Sequence, residues 1–188
     1  MARTGICPVR RRPLLNRELH SERLWYRPVA AADVPALHDL WTHARVRRFL
    51  WDGRIIPVEQ TREIVEASTR RFADDGCGLW GIREQGSHRL LGFAGYWYFR
   101  TPPVRELLYG VAADRWDRGL ATESGRRIIR YGFEELELAS VEASTDVSNT
   151  ASVRVLEKLR MQRTGRAIVD GLDTVFYELH REEWQPAG

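Results

Sequence analysis

The sequence predicts an α/β fold with a mixed, mostly antiparallel sheet of about seven strands and helices on both faces, and three observations carry that reading. Segments of alternating apolar and polar residues recur from residue 23 onward, and stretches with helical spacing interrupt them. Their order is strand, two helices, three strands, helix, strand, helix, two strands, which is neither regular βαβ alternation nor separate blocks of one type.

The first strand falls on "RLWYRP", where aromatic and apolar residues alternate with arginines and Pro28 ends the run. Asp33 offers an N-cap to a helix over "VPALHDLWTHARV", in which Leu37, Leu40, Trp41 and Ala44 fall at helical spacing. A second helix starts at Pro57, well placed in a first turn, and buries Ile64, Val65, Ser68 and Phe72 before "DDGCG" breaks it. Strands follow over "LWGIRE", over "RLLGFAGYWYF" after the turn residues "QGSH", and over "RELLYGVA" after "TPP". Helical pattern resumes from Gly119 to Phe133, and "ASVEASTD" alternates as a strand. Asn149 caps a short helix over "TASVRVLEKL", and "AIVD" with "TVFYELH" forms a last hairpin around Gly171. Without an internal repeat or low-complexity linker, residues 23–188 read as one domain behind a basic, flexible extension, residues 1–22.

Bulk composition narrows the function classes. The chain has 188 residues, 43% of them hydrophobic, and no apolar run nears the ~18 residues of a membrane span. The first segment stays polar and carries Pro8 and Pro13, so no secretory leader is expected and the predicted compartment is the cytosol. Cys7 and Cys77 suggest neither a disulfide framework nor zinc, and His38 and His43 do not share a helical face; no metal is expected. Residues 1–27 hold seven arginines against Glu18 and Glu22, while the other 161 residues hold 22 basic and 24 acidic side chains. The basicity therefore belongs to the arm, and contact with RNA or ribosomes stays open beside a plain disordered leader. A homodimer, the common homo-oligomer, is likewise open.

Three stretches carry chemistry. "RGLATES" follows a strand and opens a helix, so backbone N–H groups point out of the positive end of a helix dipole. Gly119 and the small Ala121 allow an anion to approach, and Arg118 adds a planar fork of donors. The fuller nucleotide patterns GxGxxG and GxxxxGK[ST] are absent. In "NTASVRVLEKL", Ser152 precedes Leu156 by four residues and Leu159 by seven, so its hydroxyl lies on the apolar face and needs a partner: a carbonyl one turn back or a ligand. In "RELLYGV", Glu106 sits among apolar residues, where a carboxylate can serve as a general base; as an edge-strand surface charge it would instead pair with Arg105 or Arg100.

Together these stretches resemble the GNAT superfamily of acyl-CoA-dependent N-acetyltransferases, within it the branch of the ribosomal-protein alanine N-acetyltransferases. "WDRGLA" matches the superfamily's pyrophosphate pattern, and "ELLYGV…W…GLATE" followed by "N..S.RVLEKL" is similar to the branch's own signature over nearly the whole chain beyond the leader. The resemblance implies the GNAT fold with a splayed cleft, acetyl-CoA as cosubstrate, and a primary amine as acceptor, a peptide N-terminus or ribosomal protein among the candidates. It implies that Gly110 and Val111 offer backbone groups to the pantetheine arm and the thioester oxyanion. It places the pyrophosphate on Arg118, Gly119, Leu120, Ala121 and Thr122, with Asn149 at the pantetheine amides or the helix start. It assigns Ser152 to the leaving thiolate and Glu106 to the general base, with direct transfer in a ternary complex. Two positions depart from the pattern: Asp117 and Arg160 stand where glycine is usual. Asp117 is expected to cap the helix or, pointing into the cleft, to weaken CoA binding. A CoA-binding module without transfer is the competing reading. "HARVRRFLWDG" supplies Arg47, Arg48, Phe49 and Trp51 to an acceptor wall or to the core.

Overall fold

The structure, a computed structural model, describes residues 18–99 and 104–185. The leader up to residue 17, Cys7, Arg100 and the "TPP" turn lie outside the described residues. One sheet contains β1 (Leu19–His20), β2 (Leu24–Pro28), β3 (Leu79–Glu84), β4 (Gly92–Phe99), β5 (Val104–Val111), β6 (Ser140–Asp146), β7 (Gln162–Val169) and β8 (Leu172–His180), in the order β1-β2-β3-β4-β5-β6-β8-β7. Every neighbouring pair is antiparallel except β5 and β6. Seven strands were expected; the eighth is β1, two residues long and too short for any periodicity to reveal.

The helices are α1 (Val34–Thr42), α2 (Ala44–Arg47), α3 (Val58–Asp74), α4 (Leu120–Glu134) and α5 (Thr150–Lys158). Helix α3 buries Val65, Ser68 and Phe72 as its spacing predicts, with Thr61 completing the stripe. The single helix expected over residues 34–46 is instead two, because the chain leaves helical geometry at His43 (ψ 127°). Two apolar clusters flank the sheet. One gathers Leu107, Val111, Ile128, Leu156 and Val175 beneath α4 and α5; the other gathers Leu37, Trp41, Val65 and Phe93 beneath α1 and α3. Helices therefore cover both faces, as the element order predicts.

Asp33 does not cap α1; it makes no side-chain cap bond there. Its carboxylate receives Arg83 Nη2 at 2.5 Å, Arg27 Nη2 at 3.0 and 3.1 Å, and the Ala30 backbone N–H at 3.0 Å. Asp33 and Arg83 are both buried, and Arg83 also donates to the carbonyls of Gly81 and His88. A buried charge pair of this kind holds only because each remaining donor and acceptor is also met. It anchors the entry of α1 to the sheet.

Candidate active site

Strands β5 and β6 are joined through α4 and register at one position, Glu106 opposite Glu142, whereas β4 and β5 register over their full eight residues. No other position of the two parallel strands is in register, which leaves a gap in the hydrogen-bond ladder at the middle of the sheet. The Ala112 N–H bonds the Leu91 carbonyl at 2.7 Å, so by alternation Gly110 and Leu108 turn their backbone groups toward β4. Tyr109 and Val111 turn theirs into the gap. The Val111 carbonyl there receives Trp116 Nε1 at 2.7 Å, which leaves the Val111 N–H as the donor facing the opening. Gly110 contributes closeness instead: a Cβ at this position would meet the Phe93 ring at 2.6 Å.

Glu106 is 1% exposed on a central strand, not a surface charge on an edge. Its Oε2 accepts from the Ser144 hydroxyl at 2.5 Å, and Arg105 turns away to the Tyr98 hydroxyl at 2.9 and 3.1 Å. Residues 106 and 108 share one face of β5, and Leu108 packs on the cluster beneath α1 and α3. Tyr109 points to the other face, toward α5.

On that face Ser152 acquires its partner. Its Oγ lies 2.9 Å from the Tyr109 hydroxyl, which also donates to the Ser152 carbonyl at 3.3 Å. Burial pushes the Tyr109 phenol well above its ordinary value. Asn149 caps α5 as the residue type predicts, its Oδ1 accepting from the Ser152 N–H at 3.2 Å. Tyr109 is the site residue that sequence reasoning missed. The signal was available, because a serine hydroxyl on an apolar helix face needs a partner and Tyr109 faces the same way from the neighbouring strand.

Helix α4 begins after Gly119, whose φ of +76° is easy for glycine and strained for any other residue. The first intrahelical bond runs from the Glu123 N–H to the Gly119 carbonyl, so the N–H groups from Leu120 to Thr122 point out of the helix start. No side chain caps it. Glu123 is held from outside: its carboxylate receives the Ser21 hydroxyl at 2.7 Å, the Arg23 N–H at 2.8 Å and Arg23 Nε at 2.7 Å, while Arg23 Nη1 reaches the Arg118 carbonyl at 2.9 Å. Burial alone would push the Glu123 carboxyl up, but these donors outweigh it and hold it below the usual carboxylate range. Its stabilising contribution is complete above the unfolded-state value of ~4.3 and is lost as pH falls through the lower folded value. The difference in urea midpoint between the parent chain and Glu123→Gln is therefore expected to narrow below about pH 4.

Asp117 is exposed and does not cap α4; it sits at φ +59°, and Arg160 sits at φ +61°. Both departures from glycine thus occupy left-handed backbone, which costs a side-chain-bearing residue ~1–2 kcal/mol. Asp117→Gly and Arg160→Gly are each expected to stabilise the fold by ~0.5–1 kcal/mol, after the extra freedom glycine gains in the unfolded chain. Thermal melting would show this as a rise of roughly 1–4 °C for each.

Of the residues assigned to an acceptor wall, Trp51 packs edge-on against Trp41 at 5.8 Å. Arg47 is committed to the carbonyls of Gly53 and Thr42, and the Arg48 guanidinium lies over the Phe49 ring at 5.0 Å. The turn containing Asp52 approaches the end of β6: burial, and then the Asp52 charge, push the Asp146 carboxyl above its ordinary value. Arg45 stacks on Trp116 at 4.4 Å and so ties α2 to the loop before α4. Cys77 is buried and forms no disulfide, and no group of three or more metal-ligating side chains occurs among the described residues. No helix among them is long and apolar enough to cross a membrane.

This architecture recurs in known proteins. The chain is 25% identical over 148 residues to an uncharacterized N-acetyltransferase, p20, of Bacillus licheniformis, covering 78% of this chain and 83% of that one. An acetyltransferase structure from Agrobacterium tumefaciens superposes with a TM-score of 0.78 at 22% identity, covering 92% of this chain and 99% of that one. A ribosomal L7/L12 α-N-protein acetyltransferase in complex with coenzyme A superposes with a TM-score of 0.75 at 17% identity, covering 89% and 99%. The family model for the acetyltransferase (GNAT) domain matches residues 23–162, and the chain belongs to that family of acetyl-CoA-dependent N-acetyltransferases.

Proposed function

We propose that the chain moves an acetyl group from acetyl-CoA to a primary amine, a peptide N-terminus or a small amine, by direct attack in a ternary complex. The observation that carries this reading is that Glu106 and Ser152 address the gap between β5 and β6 from opposite faces of the sheet. The pyrophosphate would lie on the N–H groups of Arg118, Gly119, Leu120, Ala121 and Thr122, where the helix dipole and Arg118 favour an anion. The pantetheine arm would follow β5 past Gly110 and Val111, with Asn149 setting the start of α5. An arriving ammonium must lose a proton before it can attack, and Glu106 is the carboxylate placed to take it. An α-amino group, pKa ~8, asks less of that base than a lysine at ~10.4. As the amine adds to the thioester carbon, the Val111 N–H faces the oxyanion and Ser152 faces the departing sulfur. The neighbour that acts on a ribosomal protein N-terminus supports a peptide acceptor.

The test is a panel of peptide N-termini, polyamines and aminoglycosides offered with acetyl-CoA, with acetylated products read by mass. Transfer with intersecting double-reciprocal plots is the expected result. CoA binding by calorimetry with no acceptor modified would favour a binding module, and parallel plots would replace direct attack with an acyl-enzyme.

A further inference from the structure

We propose that Tyr109 and Ser152 form a two-hydroxyl donor chain, in which the Tyr109 O–H swings from the Ser152 carbonyl to the Ser152 Oγ and frees the serine O–H to point at the departing thiolate. This rests on the functional reading above and concerns how the sulfur is received. Tyr109 has two acceptors within reach of one proton, the Ser152 carbonyl at 3.3 Å and the Ser152 Oγ at 2.9 Å. When Tyr109 bonds the carbonyl, the serine proton is left to rest on the tyrosine oxygen. When Tyr109 turns to Oγ, the serine keeps its proton and is free to donate it away from Tyr109. Asn149 fixes the rest of the arrangement by holding the Ser152 N–H, so the hydroxyls can rotate without moving the helix.

The magnitudes decide between hydrogen-bond donation and full proton transfer. A thiol has a pKa of ~8.5, whereas a serine hydroxyl is an ordinary alcohol and no more acidic than water, so handing its proton to a thiolate would run steeply uphill. Passing the deficit on to Tyr109 does not help, because burial holds that phenol in its neutral form. Donation without transfer avoids both penalties. The N–C bond forms, the C–S bond breaks with its electron pair going to sulfur, and no hydroxyl proton changes owner. The ammonium's first proton goes to Glu106 before attack, the second leaves the nitrogen to water as the amide forms, and the thiolate takes its proton from water. Tyr109 is thus a positioning residue: it acts on the sulfur through Ser152 and polarises the donor it supports.

The test reads the ionisation of bound CoA itself, by thiolate absorbance across a pH titration, so it needs no acceptor. The thiol of CoA bound to the parent chain is expected to ionise below its free value. Tyr109→Phe, which keeps the ring, is expected to weaken that ionisation about tenfold, one pKa unit, while CoA affinity by calorimetry stays the same at a pH where the thiol is protonated in both proteins. Ser152→Ala is expected to lose at least as much, and the double variant no more than Ser152→Ala alone. A bound thiol that ionises alike in Tyr109→Phe and the parent, or a double variant that loses the sum of both, overturns the proposal. An intact thiol shift with no amine acetylated would instead overturn the functional reading and leave the donor chain standing.

Discussion

Glu106→Gln is expected to lower kcat/KM for the amine by about 10²–10³-fold near neutral pH, the usual range for losing a placed general base. Glutamine keeps an oxygen for the Ser144 hydroxyl, which donates to Glu106 at 2.5 Å in the parent, so the fold should survive the change. KM for acetyl-CoA should hold, because Glu106 lies on the opposite face of β5 from Tyr109 and α5. The pH dependence is the sharper reading. As pH rises toward the pKa of the acceptor, more amine arrives already deprotonated and the variant's deficit should shrink. A deficit constant across the titration would mean that Glu106 orients the amine instead of deprotonating it, and a rate equal to the parent's would remove it from the mechanism.

The second large effect concerns stability. Arg83→Ala is expected to cost ~3–5 kcal/mol, because it leaves the buried Asp33 carboxylate with the Ala30 N–H and a single guanidinium, that of Arg27, whose side chain is 42% exposed. In a domain of this size, thermal melting should fall by roughly 10 °C. The comparison that isolates charge from packing is Arg83→Met with Asp33→Asn. Asparagine retains an oxygen for the Ala30 N–H and methionine fills the apolar part of the arginine's space, so more than half of the loss should return. If the double change melts as low as Arg83→Ala, the arginine acts through its bonds to the Gly81 and His88 carbonyls and the ion pair is incidental.

The central strands and long helices were legible because their residues alternate or repeat as burial requires; the boundaries of β3 and the cap of α5 follow from the letters alone. The misses have separate physical causes. Asp33 has the right residue type and place for a cap, but its partner Arg83 is 50 residues away in a strand whose pattern does not flag it. The division between α1 and α2 has no glycine or proline to announce it. Strand β7 begins at Gln162, well before the expected "AIVD", because an exposed edge strand shows little burial alternation. The need of Ser152 for a partner was legible, but its identity as Tyr109 lay across the same long range, at a separation of 43 residues. Asp117 and Arg160 were visible as anomalies, yet only the backbone shows what they have in common, a left-handed turn with a side chain on it.

On the proposed reading, the single registered contact between β5 and β6 makes the candidate site a window through the sheet, not a pit sunk in one side of it. A pit has one mouth, and its two occupants must share that mouth and limit each other's size. A window would let the thioester arrive from the α4 and α5 side while the amine arrives from the other, as the proposed function requires. The bulk behind the amine then stays outdoors, and a folded polypeptide offering its first residue meets the same opening as a free small molecule.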